Sequence, residues 1–276
     1  MVDYRDSDRI VTLLTQDYGR LGALARGARK SRKRFGAALS PYHLVEARLR
    51  GEPSDGKLMR LADVRIEESY RQIASDMKRL ALAGYFSELC RETVVEAQPE
   101  PAIFQHLVEG HRALNQLEPK RCTSRAFEIH LLRRLGVEPV LDRCVGQRGS
   151  AGCVRRPDEG GETGDAEGPS GRWGLDLVHG GMVCPECAVS AGTSCIRLSL
   201  EAVRAIQRLA SVSFARGAAS EDDLSHEVNA EIRKAFGAKL YDLIGRPLQS
   251  VAFIEKMRRW DPELESGEPV LVATEE

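Results

Sequence analysis

The chain has 276 residues, and no apolar run in it approaches the roughly 20 needed to span a bilayer, so a membrane-spanning helix is not expected. The opening residues, MVDYRDSDRI, lack the apolar segment of a secretory signal, and the expected compartment is the cytoplasm. The histidines (His43, His106, His111, His130, His179 and His226) form no HExxH pattern. G-x-S-x-G and the Walker A spacing are also missing, and Gly27-Ala28-Arg29-Lys30 lacks the spacing of a phosphate-binding loop. The carboxylate pair Asp222-Asp223 falls at an expected helix start, where it favours the helix dipole. With no catalytic motif, the chain reads as a non-enzyme. The cysteine count is odd, at seven, and in a reducing compartment these residues read as metal ligands or buried thiols rather than disulfides.

What the chain does have is charge concentrated at one place. The stretch Arg20 to Arg34, RLGALARGARKSRKR, holds seven cations: Arg20, Arg26, Arg29, Lys30, Arg32, Lys33 and Arg34. No Asp or Glu occurs between Tyr18 and Val45. The whole chain carries a formal charge of −1, so without these seven cations the remainder sums to −8. A cationic field on an otherwise acidic protein points to a polyanionic partner, most often nucleic acid. The plain alternative is a solvated loop rich in arginine. Aromatic interleaving, which would favour stacking on a single strand, is limited to Tyr18, Phe35 and Tyr42 at the flanks. Apolar residues make up 42% and charged residues 29%, an ordinary globular composition, and the length suits about two domains.

Periodicity divides the chain. Residues 1–68 read as short strands. Arg9 to Thr15 is one, Asp17-Tyr18-Gly19 a turn, and Arg20 to Arg26 a second strand completing a hairpin. Leu44 to Arg50 alternates, with Val45, Ala47 and Leu49 on one face and Glu46, Arg48 and Arg50 on the other. Residues 51–56 form a turn by composition, and Lys57 to Glu67 returns as one or two strands. Short strands at this spacing suggest a small barrel, with the basic stretch on its second hairpin strand and the connection that follows.

From residue 69 to 260 the period becomes helical. Met77, Leu80, Ala81, Gly84 and Leu89 mark a first helix with Ser75 as its expected cap. Pro99 and Pro101 interrupt the pattern. Ile103, Phe104, Leu107, Val108, His111 and Leu114 mark a second helix. Thr123 or Ser124 is the expected cap of a third, with Phe127, Leu131 and Leu135 inward and Gly136 just past its end. Val203, Ile206 and Leu209 follow a Ser199 cap, and Val228, Ile232, Ala235 and Phe236 mark a last helix ended by Gly245-Arg246-Pro247. Residues 155–172, glycine-rich and acidic, are expected to be a disordered insert, and 261–276 a flexible tail.

Between 140 and 196 the chain carries Cys144, Cys153, Cys184 and Cys187, spaced C-x8-C and C-x2-C. Cys184-Pro185-Glu186-Cys187 is a regular knuckle, preceded by Gly180-Gly181, which permits a close turn. The first pair is unusually wide. Four thiolates would fill the tetrahedron of a zinc ion (Zn2+) and leave no open position, which makes such a site structural. A hydrolytic metal position, and with it a metal-dependent nuclease, is disfavoured for the same reason. Buried free thiols or a redox pair at Cys184/Cys187 are the alternatives, but no thioredoxin-like βαβ pattern surrounds that pair. Cys195 is a spare candidate, while Cys90 and Cys122 read as packing residues.

Asp6 to Thr15 (DSDRIVTLLT), Gly19-Arg20-Leu21, Gly27-Ala28-Arg29-Lys30 and Leu39-Ser40-Pro41-Tyr42, followed by Phe127 to Pro139 (FEIHLLRRLGVEP) and the Cys184-x-x-Cys187 knuckle, resemble in their order the bacterial RecO family of recombination mediators. The resemblance implies an α+β protein, with an N-terminal OB-fold β-barrel followed by an all-helical domain carrying a zinc lobe. It implies binding of single- and double-stranded DNA, annealing of complementary strands, and partnership with RecR and single-stranded DNA-binding protein in loading RecA during recombinational repair. It would place the protein at the nucleoid. The rival reading is a protein-interaction adaptor whose basic stretch docks an acidic partner. Members of the family have a full strand before the position of Asp3. The barrel here is therefore expected to lack part of its first strand and to leave an edge near Ile10 to Leu14, unless translation starts upstream.

Overall fold

The period-two segments form five strands of one sheet. They are β1 (Val2–Tyr4), β2 (Asp8–Thr15), β3 (Gly19–Ala25), β4 (His43–Arg50) and β5 (Met59–Ser69). The computed structural model describes residues 1–31, 34–52, 56–148, 151–157, 172–190 and 195–258. The strand order is β1-β2-β3-β5-β4. Every pairing is antiparallel except β3 with β5, which align Ala23 with Met59 and Leu24 with Arg60. This is the arrangement of a partly open five-stranded OB-type barrel. Among the described residues no ladder joins β1 to β4, so the barrel is not closed. β1 is three residues long and covers β2 only at Asp8, Arg9 and Ile10. The return expected as one or two strands is a single strand of eleven residues.

Alternation decides what this sheet buries. Leu21, Ala23 and Ala25 of β3 point inward, as do Val11, Leu61 and Val64. Phe35, from the connection between β3 and β4, closes the same core at 2% exposure, and Ala28, Ala38 and Leu39 pack against it. The connection is thus held from its apolar residues, and its described cations, Arg26, Arg29, Lys30 and Arg34, are left outside.

The chain divides into two compact units, Met1–Gln116 and Leu117–Glu276. The first unit also contains α1 (Arg71–Ser75), α2 (Met77–Thr93) and α3 (Pro101–Gln116). Ser75 ends α1 and does not cap α2. Asp76 does, from an extended backbone, its carboxylate accepting the Arg79 N–H at 2.8 Å. Pro101 is the first residue of α3 rather than a break, a position where its missing N–H costs nothing.

The second unit has a helical body: α4 (Arg121–Arg134), α6 (Leu200–Ser211), α7 (Phe214–Ala218), α8 (His226–Ile244) and α9 (Gln249–Arg258). Neither Thr123 nor Ser124 is the N-cap of α4. The helix starts two residues earlier, and Thr123 Oγ1 reaches back to accept the Lys120 N–H at 3.0 Å. Ser199 does cap α6, and Ser225 caps α8, which ends at Gly245 with φ +76°. Between α4 and α6 lies a lobe of β6 (Gln147–Arg148), β7 (Ala151–Gly152), β8 (Trp173–Asp176), β9 (Gly181–Val183), α5 (Pro185–Ser190) and β10 (Cys195–Leu198). Its three-stranded sheet has the order β10-β8-β9, and β6 pairs with β7 as a separate ribbon. Most of the glycine-rich insert (158–171) and the tail from 259 lie outside the described residues. Among the described residues no helix is long and apolar enough to cross a membrane.

Candidate nucleic-acid interface and metal centre

The basic connection leaves β3 through Gly27, at φ +67°, a left-handed conformation that glycine adopts without strain. The Gly27 N–H donates to Asp8 Oδ1 at 2.8 Å, and the Arg29 N–H donates to the Ser7 carbonyl at 3.1 Å. That Gly27 N–H is also the main reason the Asp8 carboxyl is held below the usual carboxylate range. The loop is therefore pinned to the β1–β2 turn at one end and to the core through Phe35 at the other.

Arg26, Arg29, Lys30 and Arg34 stand exposed on this frame. Arg34 lies over the Phe35 ring, 4.9 Å from its centroid, and donates through Nη2 to the Arg26 carbonyl at 2.9 Å. Arg29 leans toward Asp3, with 3.8 Å between Nε and Oδ2. Both partners are solvent-exposed, so the contact is weak. Arg32 and Lys33 lie outside the described residues. Arg20 stands apart from the others. It is the second residue of β3, six extended residues and so about 20 Å from Arg26. Its Nη1 donates at 3.3 Å to the Arg91 carbonyl near the end of α2, where a cation suits the helix dipole. The pin from Asp8 has no sequence signature, since nothing local ties Asp8 to Gly27.

The metal-type cluster brings Cys144, Cys153, Cys184 and Cys187 together, with their four sulfurs all within 4.8 Å of one another. Tetrahedral zinc–thiolate geometry needs sulfur–sulfur edges of about 3.8 Å. The Cys153–Cys184 separation is already 4.0 Å. The wide C-x8-C spacing has a structural reason: β6 pairs with β7, Gln147 opposite Gly152 and Arg148 opposite Ala151, which returns the chain to one place. The ribbon is closed by Cys153 N–H to the Gly146 carbonyl at 2.8 Å and Cys144 N–H to the Arg155 carbonyl at 2.8 Å. Cys184 leaves β9 and Cys187 sits in the first turn of α5.

Backbone donors already favour anionic sulfur here. Cys144 Sγ accepts N–H groups from Cys184 at 3.2 Å and Gly146 at 3.4 Å. Burial works against ionisation, and together with the neighbouring sulfurs it pushes Cys187 up to about 12. At Cys184 the same burial penalty is outweighed by the Cys187 N–H and adjacent thiols, which hold it below its ordinary value. Four crowded thiols cannot all ionise alone, so this donor set fits a divalent cation that offsets their charge. The cluster could hold a metal ion and is compatible with zinc.

Two glycines let the site close, Gly146, which no motif marks, and Gly181 of the Gly180-Gly181 pair. A Cβ on Gly146 would lie 2.5 Å from Cys187 Cβ. A Cβ on Gly181 would lie 2.5 Å from Val145 Cγ1, so Gly181 serves close strand packing while Gly180, at φ +66°, makes the turn. Cys195 lies outside the four-sulfur group, on β10 opposite Asp176.

An OB-type sheet with a cationic connection, followed by a helical unit with a four-cysteine lobe, defines the class of protein. The family description "Recombination protein O N terminal" matches residues 1–70, and "Recombination protein O C terminal" matches 74–252. A DNA repair protein RecO from Anaeromyxobacter sp. (strain Fw109-5) is 35% identical over 256 residues, covering 93% of this chain and 92% of the relative. Those of Symbiobacterium thermophilum and Myxococcus xanthus are 36% and 32% identical, each over 93% of both chains. The chain belongs to the recombination protein O family.

Proposed function

We propose that this protein is a non-enzymatic, DNA-binding mediator of recombinational repair. In this reading it anneals complementary strands and, with RecR, assists RecA loading on single strands coated by single-stranded DNA-binding protein, at the nucleoid. Family membership supports the repair role. The observation that carries the DNA contact is the pinned loop, which presents Arg26, Arg29, Lys30 and Arg34 to solvent while its apolar residues enter the core. Such cations position phosphates without reading bases, so binding should be sequence-independent. Annealing follows from the same property, because two polyanionic strands approach only when their charge is screened. The four cysteines hold zinc in this reading, as a closed structural centre that fixes the lobe.

The test is fluorescence anisotropy with labelled single strands and duplex, with and without Mg2+. We expect binding with no cleavage and a log–log salt slope of about −0.7 per phosphate for single strands. Arg29→Glu combined with Lys30→Glu should weaken binding to all sequences, flatten the slope and lower annealing in parallel. Wild-type affinity and slope in that double variant would move DNA binding away from this loop. Binding of an acidic peptide without DNA binding would favour the adaptor reading instead.

A further inference from the structure

The β4–β5 ladder places three charged residues of β4 opposite charged residues of β5. Glu46 faces Arg65 and Arg48 faces Asp63, pairs of opposite sign. Arg50 faces Arg60. Like charges directly opposite on neighbouring strands repel and destabilise the pair. Both arginines are exposed, and among the described residues neither forms an ion pair that would relieve the repulsion.

The pair is also continuous with the basic connection. On its other side Arg60 is in register with Leu24 of β3, and Leu24 with Ile10 of β2. Ile10, Leu24, Arg60 and Arg50 therefore form one row across four strands. Adjacent strands lie about 4.8 Å apart, so Leu24 to Arg50 covers about 10 Å. Arg26, the first cation of the loop, is two residues beyond Leu24, about 7 Å further along the strand direction. The row carries no aromatic ring on which a base could stack. Beside it Leu58 lies over Gly22, where a Cβ would meet Leu58 Cδ2 at 2.8 Å.

We infer that Arg50 and Arg60 form a second phosphate-binding position, on the exposed face of the β4–β5 hairpin, which takes the sugar–phosphate backbone of a single strand leaving the basic loop at Arg26. The inference rests on the DNA-binding reading above and extends it onto the sheet. A phosphate between the two guanidiniums converts a repulsive pair into a bridged one, with charge-assisted hydrogen bonds from both.

Repulsion and binding make opposite demands, which gives the test. Arg60→Glu sets an opposite charge against Arg50. Its thermal midpoint should equal or exceed that of the parent protein, while affinity for fluorescein-labelled oligo(dT) falls about five- to tenfold and the salt slope flattens by about 0.7 for each phosphate no longer neutralised. Arg60→Gln, which adds no charge, should shift affinity and slope the same way by less, and guards against misfolding of the first variant. Arg29→Glu with Lys30→Glu serves as the reference. If that double variant is impaired while both Arg60 variants bind oligo(dT) with parental affinity and slope, the sheet position is wrong and the loop reading stands. If all of them bind as the parent does, both readings fall. A loss of affinity in the Arg60 variants that is matched by a fall in thermal midpoint would mark Arg60 as a folding residue and overturn the inference.

Discussion

The Asp223 carboxylate accepts the backbone N–H of Cys122 at 3.0 Å, across 101 positions of chain. Cys122 is in the first turn of α4, whose leading N–H groups have no partner within the helix. Asp223 supplies one. Arg121 Nη1 lies 3.5 Å from the other carboxylate oxygen, and Lys120 Nζ donates to the Ser220 and Glu221 carbonyls at 3.1 Å. The segment before α8 therefore straps the start of α4. Asp223→Ala should destabilise the protein by about 1–2 kcal/mol, the usual cost of a lost cap, and Asp223→Asn should recover most of it. Urea unfolding of the three proteins measures this. Equal midpoints for Ala and parent would show that the strap adds no stability.

The metal assignment predicts about one zinc per chain. Cys184→Ser should lose the metal. Gly146→Ala should also lose it with all four cysteines present, because the added methyl would enter the space of Cys187. Removing 159–168 should leave metal content unchanged, since all four ligands come from the flanking segments. Metal analysis after gel filtration decides each case. Full zinc in Cys184→Ser would remove the assignment.

His111 is buried between Tyr42 and Tyr70, with Nε2 3.1 Å from Ser87 Oγ. Burial lowers it from 6.5 to about 4. Between those values the unfolded chain binds a proton that the folded chain refuses, so stability falls as pH falls from 6.5 towards 4. Above 6.5 both states are neutral and the residue contributes no pH dependence. The full effect is about 3 kcal/mol. His111→Gln should be less sensitive to acid across that window, as read from urea midpoints at pH 7 and pH 5. Identical sensitivity in the two proteins would assign the acid response to other groups.

Gly19 turns β2 into β3 at φ +65°, and a Cβ there would lie 1.8 Å from the Gln98 carbonyl oxygen. Gly19→Ala combines a left-handed backbone with a clash against main chain, which cannot rotate away. A loss of about 2–4 kcal/mol is expected. Gly36→Ala has a positive φ but open space around it, and should lose less. Thermal midpoints in that order test the role of the Gln98 contact.

The sequence by itself determined the local structure. Alternation at Val45–Arg50 and Val64–Glu67 set which side chains each strand buries, because a strand turns over at every residue. Ser199 and the glycines at 136 and 245 marked helix ends, because caps act within one turn. The C-x2-C knuckle was legible for the same reason. Two local signals misled at close range: Ser75 against Asp76, and Thr123 as cap against Thr123 as third residue. There one position decides, and neighbouring polar residues compete for the same backbone donors.

What only the tertiary structure decided was which distant residues meet. The C-x8-C pair joined the other two cysteines in one cluster only because β6 pairs with β7. Asp8 became the pin of the basic loop, and Asp223 the cap of a helix other than the one it precedes. Arg20 was parted from its neighbours in sequence and set against α2, while Arg50 was brought against Arg60 by strand register. Composition can give the charge of each of these groups, but its surroundings depend on which strands and helices pack together. Those pairings join residues too far apart in sequence for any local period to record them.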